Sequence, residues 1–471
     1  MTTRNSKLRK HRFAHSARSP ATPNELGRLM TNTSTLKALE DEWLETYHRR
    51  NALSKAANES AQNFIAKGQR TRFNSGMPYP VYIQRGSGSH FTGVDGNDIL
   101  DCNAGWNASF IGRSHPIVAA AVHDAMNQLG APGGAMHPSP IRDEFAQQLC
   151  ERIPGAERVV FAPSGSEANT YALRLARSFT GHQTVIRVAG GFHGQHDALL
   201  GEQSSKAGIS PTAHDNIITV PFNDLAAVNE ALDLHPGSVA AVIAEPMMTI
   251  PGAVHQRNGF LEGLRSATQR HGTLFILDEV ITGCRFAVGG ASEYYGFEAP
   301  DLIVMGKMLG GGLPVAVVTG RADILEQPIS ASNTHAQNPV ALAAAVATMR
   351  LTTKEVFTEA ASKGEKLREE LRGLSARLTM PLAITGDGPC VGLHFTSEEV
   401  IDFASAERAD NGLWRLMCLG LANTGLGLTS RTFGPNAAWT DEDLEFAIQT
   451  FTSTLTAISR AQKNTLQDVR A

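Results

Sequence analysis

Between residues 117 and 349 the chain alternates short, β-branched apolar runs with stretches of helical pattern, and few folds accommodate such an alternation. The runs are 158–161, 184–188, 216–220, 239–244, 274–277, 302–305 and 315–318. A strand covered on both faces reads as a continuous apolar run, and parallel neighbours need a long crossover that a helix supplies. The pattern therefore predicts an α/β fold whose large domain has a mainly parallel central sheet with helices on both faces. In open sheets of this kind ligands sit beyond the carboxyl ends of the strands, so polar residues directly after a run are the first candidates for chemistry.

The flanking segments predict a smaller α+β domain formed from both chain ends. From 35 to 67, Leu36, Leu39, Trp43 and Tyr47 recur at helical intervals, and two alternating stretches, 78–86 and 91–101, read as short antiparallel strands around Gly-rich turns. After Thr352 come a Lys/Glu-rich helix (355–375), a strand region (389–395) and a closing helix from Asp441. The expected boundaries are a basic tail (1–34), an N-terminal contribution to the small domain (35–116), the large domain (117–349) and a C-terminal small domain (350–471).

Bulk properties exclude several classes. A net charge of −4 over 471 residues is too balanced for a dedicated nucleic-acid binder, which leaves small molecules as partners. The five cysteines are scattered and never form a CxxC pair, which argues against a disulfide framework or a metal cluster and for a reducing, cytoplasmic setting. No apolar stretch is long enough for a membrane span. The first residues carry Arg4, Lys7, Arg9, Lys10, Arg12 and Arg18 with no acid before Glu25, the composition of a disordered tail or of an organelle transit peptide.

Several runs deliver reactive groups. The run 301–306 closes on Lys307, followed by Met308-Leu309-Gly310-Gly311-Gly312-Leu313-Pro314, so an amine leaves the core with little to shield it. A buried ammonium loses solvation and its pKa falls, favouring the nucleophilic free amine; a snorkelling surface lysine is the alternative. The run 274–277 delivers Asp278, which needs a cation: a protonated ring nitrogen, or else an arginine. Val280 then packs on a ring face, and Glu279 holds a neighbouring loop.

After 158–161 comes Ser164-Gly165-Ser166 at a helix start, where the amides of Gly165 and Ser166 face an anion; alone, such a motif is an ordinary N-cap. Gly190-Gly191-Phe192-His193-Gly194 follows 184–188 and offers Phe192 to stack on a planar ring, or simply a packed Phe beside a hydrogen-bonded His193. Thr334 precedes the helix 340–349 and presents a hydroxyl to an anion or caps that helix. An amine, a carboxylate and a phosphate cradle at one sheet edge are what pyridoxal 5'-phosphate requires.

These residues, in this order, resemble the class-III pyridoxal-phosphate aminotransferases of fold type I, most of all the glutamate-1-semialdehyde aminomutase branch. The likeness extends from Tyr79 onward and is densest in Asp278-Glu279-Val280-Ile281-Thr282-Gly283-Cys284-Arg285 and in Gly306-Lys307 through Pro314. It implies that Lys307 is the catalytic Schiff-base lysine and Asp278 the pyridinium partner, with Val280 packing on the ring. Gly165 and Ser166 become phosphate ligands, Ser166 standing where the family usually has Thr. Phe192, with His193 beside it, takes a stacking position commonly held by Tyr. Thr334 matches the family's Thr-x-x-x-Asn-Pro stretch, which reaches the phosphate of a neighbouring subunit and implies a two-fold homodimer.

The chain also departs from the aminomutases. They carry a glutamate near the C-terminal strand, where this chain reads Arg431-Thr432-Phe433-Gly434-Pro435-Asn436. Thr429-Ser430-Arg431 instead resembles the carboxylate-binding segment of β-phenylalanine aminotransferases, and a planar guanidinium suits bidentate carboxylate recognition. Arg431 is thus the leading substrate ligand and Arg72 a second candidate. The implied reaction moves an amino group between a carboxylate-bearing amino compound, a β-amino acid among them, and a keto or aldehyde acceptor. An aminomutase, a racemase or decarboxylase, and a noncatalytic scaffold are the alternatives.

Overall fold

Residues 34–66, 77–134, 136–202 and 204–468 are described by a computed structural model of the chain. The expected basic tail, up to Thr33, lies outside them, as does Arg72. The large sheet has seven strands: β1 (Arg158–Ala162), β2 (Thr184–Val188), β3 (Ile217–Val220), β4 (Val239–Ala244), β5 (Leu274–Glu279), β6 (Leu302–Met305) and β7 (Ala316–Gly320). Their spatial order is β1-β7-β6-β5-β4-β2-β3. Successive residues of β4 and β5 join different apolar clusters, as the two-residue period of a strand requires. Ala241, Ile243, Leu274 and Ile276 meet the helix Gly165–Thr180 through Ala168, Ala172 and Leu175. Val242, Phe275 and Leu277 meet the helix Phe260–His271 through Phe260, Leu264 and Ala267.

One strand departs from the parallel arrangement. β7 runs antiparallel to both neighbours, β6 and β1. The link from β6 to β7 contains only the single 3-10 turn Lys307–Gly310, too short for the crossover that a parallel neighbour demands. As a result the amino end of β7 lies at the same sheet edge as the carboxyl ends of the other strands.

The single helix expected over 35–67 is two helices, Ser34–Arg50 and Ala52–Ala61, separated at Asn51 (φ −126°, ψ 41°). The break is stabilised from far along the chain. The Asp95 carboxylate accepts Leu53 N at 2.6 Å, Ser54 N at 3.0 Å and Ser54 Oγ at 2.5 Å, capping the second helix from a hairpin turn. Local periodicity carries no sign of such a cap.

Both chain ends share structure. The strands Ile83–Ser87, His90–Gly93 and Asp98–Asp101 form a sheet completed by Leu426–Gly427, which pairs parallel with Leu100 and Asp101. The strand expected at 389–395 is Val391–Phe395 and belongs to a different sheet, between Leu382–Thr385 and Thr432–Phe433. One apolar cluster unites Leu36, Leu100, Leu371, Trp414, Phe433 and Leu455. Asp95→Ala removes the only side-chain cap on Leu53 and Ser54 among the described residues. It is expected to lower stability by about 1–2 kcal/mol, read as a lower thermal midpoint with unchanged cofactor absorbance.

Candidate active site

A cavity of ≈ 370 Å³ opens at the carboxyl edge of the large sheet. Gly165, Ser166, Phe192, His193, Asp278, Val280 and Lys307 all line it. Each reaches it by the end of a strand: Gly165 and Ser166 after β1, Phe192 and His193 after β2, Asp278 as the penultimate residue of β5 with Val280 just past it, and Lys307 just beyond β6. Lys307 has a left-handed backbone (φ 49°), which ends β6 abruptly and is sparsely populated by residues with a side chain.

Asp278 is the most constrained group in the cavity. Its side chain is 2% exposed, and Oδ2 accepts Asn169 Nδ2 at 2.8 Å and faces His193 Nδ1 at 2.7 Å, while Oδ1 accepts Val280 N at 3.0 Å. Donation from His193 Nδ1 leaves Nε2 as an acceptor, and Nε2 is buried with no hydrogen-bond partner among the described residues. Glu279, the next residue along β5, points to the opposite face, where both of its oxygens accept Ala291 N at 3.0 Å. Burial pushes its carboxyl up to about 8.

Burial also dominates at Lys307. Loss of solvent drives its amine from 10.5 down to about 8, against the opposing attraction of Glu245 and Asp278. Glu245 is a cavity residue that sequence reasoning passed over. It directly follows β4, so the signal that singled out Asp278, an acid at the end of an apolar run, was present there too. Asn169 is a second such residue, visible in sequence only as part of the helix start.

The cavity suits pyridoxal 5'-phosphate. The helix Gly165–Thr180 is capped by Ser164, whose Oγ accepts Glu167 N at 3.3 Å, and the preceding first-turn amides have no intrahelical acceptor. A Cβ on Gly165 would lie 2.8 Å from both Val280 methyl groups, and Gly194 (φ 95°) could carry none without striking Ser166. The helix start at Gly165 and the Val280 side chain are therefore in direct contact.

Two expected residues lie elsewhere. The Arg431 guanidinium sits 5.1 Å over the Trp414 ring, away from the cavity lining, because the stacking surface of the helix Asn411–Asn423 is its immediate neighbour. Thr334 is exposed in a turn outside its own chain's cavity, with its backbone packed against Gly133.

Few cofactors bond to a lysine while also requiring an acid at a ring nitrogen and a cradle for a phosphate, and a sheet of this order carrying them defines a pyridoxal-phosphate-dependent transferase of fold type I. Known proteins agree. The Aminotransferase class-III family model matches residues 73–455, and the chain belongs to that family. A glutamate-1-semialdehyde 2,1-aminomutase 2 of Brevibacillus brevis is 38% identical over 83% of this chain and 95% of its own length. A β-phenylalanine aminotransferase from Variovorax paradoxus superposes with a TM-score of 0.81 at 28% identity, over 89% of this chain and 97% of that one. A glutamate-1-semialdehyde aminomutase from Pseudomonas aeruginosa PAO1 in complex with PMP gives a TM-score of 0.82 at 25% identity, over 90% and 98%.

Below about 8 the Lys307 amine is protonated and unreactive, and above it the amine is free. The rate at which the apoprotein captures pyridoxal 5'-phosphate should therefore rise with pH through a midpoint near 8 and not near 10.5. Gly165→Ala forces Val280 or the helix start to move, and titration of the cofactor should show binding weakened by about tenfold.

Proposed function

We propose that this enzyme moves an amino group between a carboxylate-bearing amino compound, foremost a β-amino acid, and a keto or aldehyde acceptor. Pyridoxal 5'-phosphate, when bound, supplies the electron sink for the bond broken at the substrate carbon. Lys307 serves as the proton carrier: an amine near 8 takes up and releases a proton at Nζ close to neutral pH. Asp278, fixed by three donors, would be the acid that faces the ring nitrogen of the bound cofactor. Phe192 and Val280 supply apolar surface on which a planar ring packs.

The observation that carries the substrate class is Arg431. Its guanidinium forms no ion pair among the described residues, and burial lowers its pKa against the weaker pull of Glu407. A desolvated cation without a carboxylate is costly, and a substrate carboxylate is the anion that offsets it. Its Cβ packs beside Gly252, in the segment that leads away from the cavity residue Glu245. The β-phenylalanine aminotransferase among the structural neighbours agrees with this reading.

The identity to aminomutases favours a second reading, in which both halves of the reaction stay on one molecule. A homodimer is part of the proposal. Exposed Met126 and Leu129, three residues apart on one helix, lead into the Gly133–Gly134 region on which the exposed Thr334 packs, and this surface supports a contact between two copies of the chain.

Single-turnover spectroscopy with α-, β- and ω-amino acids tests the substrate class. β-Amino acids should convert the bound cofactor to its amine form and release a keto product, whereas an aminomutase releases none. Arg431→Ala should raise KM for the β-amino acid by about 10–100-fold with kcat less affected, and Arg431→Lys should recover only part of the loss.

A further inference from the structure

The loop Gly190-Gly191-Phe192-His193-Gly194 carries the aromatic side chain of the cavity, yet glycine occupies three of its five positions and no regular structure stiffens it. Glycine-rich backbone has the most conformational freedom to lose, so the placement of Phe192 needs anchors from outside the loop. Three carboxylates provide them at successive points. Glu202 accepts Gly190 N at 3.0 Å while paired with Arg187 at 2.5 Å, Glu245 accepts Phe192 N at 3.0 Å, and Asp278 meets His193 Nδ1 at 2.7 Å. Of these only Glu245 holds the backbone of Phe192 itself.

Glu245 is also held in turn. It is 5% exposed, and its second oxygen accepts Thr249 Oγ1 at 2.6 Å. The Thr249 carbonyl accepts the Thr432 hydroxyl, which itself accepts Ala253 N at 2.7 Å, and the Thr432 carbonyl accepts Asn103 Nδ2 at 2.8 Å. This string of hydrogen bonds begins at the ring-facing residue and passes through the neighbour of Arg431. The wall that contacts the cofactor and the segment assigned above to the substrate carboxylate are therefore set by one frame.

We propose that Glu245 is a positioning residue, which sets the Phe192 ring against the cofactor by anchoring its backbone amide and is itself held by Thr249. The proposal rests on the cofactor assignment, and it concerns geometry and not charge. Glutamine at 245 keeps an oxygen for the Phe192 amide and offers its amide group to the Thr249 hydroxyl, whereas alanine leaves two buried donors without acceptors.

The test titrates the full-length apoprotein with pyridoxal 5'-phosphate and records the circular dichroism induced in the cofactor's visible band, which reports ring orientation. Glu245→Ala should raise the dissociation constant by about tenfold and diminish the induced signal, while Glu245→Gln stays within about twofold of wild type. Thr249→Val, which keeps the carboxylate, should shift both readouts in the same direction by less, and it serves if the alanine variant does not fold. Because Glu245 acts through Phe192, adding Glu245→Ala to Phe192→Leu should cost little more than Phe192→Leu alone. Wild-type affinity and dichroism in a folded Glu245→Ala protein overturn the proposal. So does equal damage from glutamine and alanine, or full additivity with Phe192→Leu. Failure of wild type itself to bind the cofactor overturns the site assignment as well.

Discussion

The Asp278 carboxylate is the joint on which the cavity depends. Its side chain is almost fully withdrawn from water, and an isolated carboxylate in that position would cost several kcal/mol or would be neutralised. Three hydrogen bonds, each worth on the order of 1.5–3 kcal/mol at a charged acceptor, are enough to offset that cost. They also come from three separate pieces of chain. Asn169 belongs to the helix Gly165–Thr180, His193 to the glycine-rich loop after β2 and Val280 to the segment that follows β5. Satisfying one buried carboxylate thereby fixes the relative positions of the helix start, the loop that carries Phe192 and the sheet edge.

Burial, and not pairing, sets the protonation of the surrounding groups. Lys307 has two carboxylates nearby that favour its ammonium form, yet desolvation outweighs them and the amine falls to about 8. The same effect with opposite sign lifts Glu279 to about 8 on the other face of β5. Two adjacent acids thus serve different ends because a strand sends alternate side chains to opposite sides: one meets the cavity and the other ties down Ala291.

Much of this was legible in sequence because it follows from a single geometric rule. Gly165, Ser166, Phe192, His193, Asp278 and Lys307 each stand at or just past an apolar run, and the carboxyl ends of strands in an open sheet converge on one edge. Glu245 obeys the same rule after β4 and carried the same signal, but its hydrogen-bond partners, Phe192 and Thr249, are defined only by the folded backbone. The direction of β7 was hidden because a strand's apolar pattern reads alike in either direction, and only the short link after Lys307 decides it. The resting position of Arg431 depends on the face of Trp414, a contact between segments that no local periodicity reports. The split N-terminal helix was obscured for the same reason, since its cap comes from Asp95.

The sheet that joins the two chain ends has a consequence for biosynthesis. Leu100 and Asp101 pair with Leu426 and Gly427, and Asn103 bonds to a carbonyl 329 residues further along. During synthesis on the ribosome, the hairpin beside them emerges early and waits with one strand edge uncovered until nearly the whole polypeptide has been made. Closure over such a separation is slow, and an open edge invites pairing with other nascent chains. The large sheet has no such wait, so Lys307 is housed well before the segment carrying Arg431 has been made.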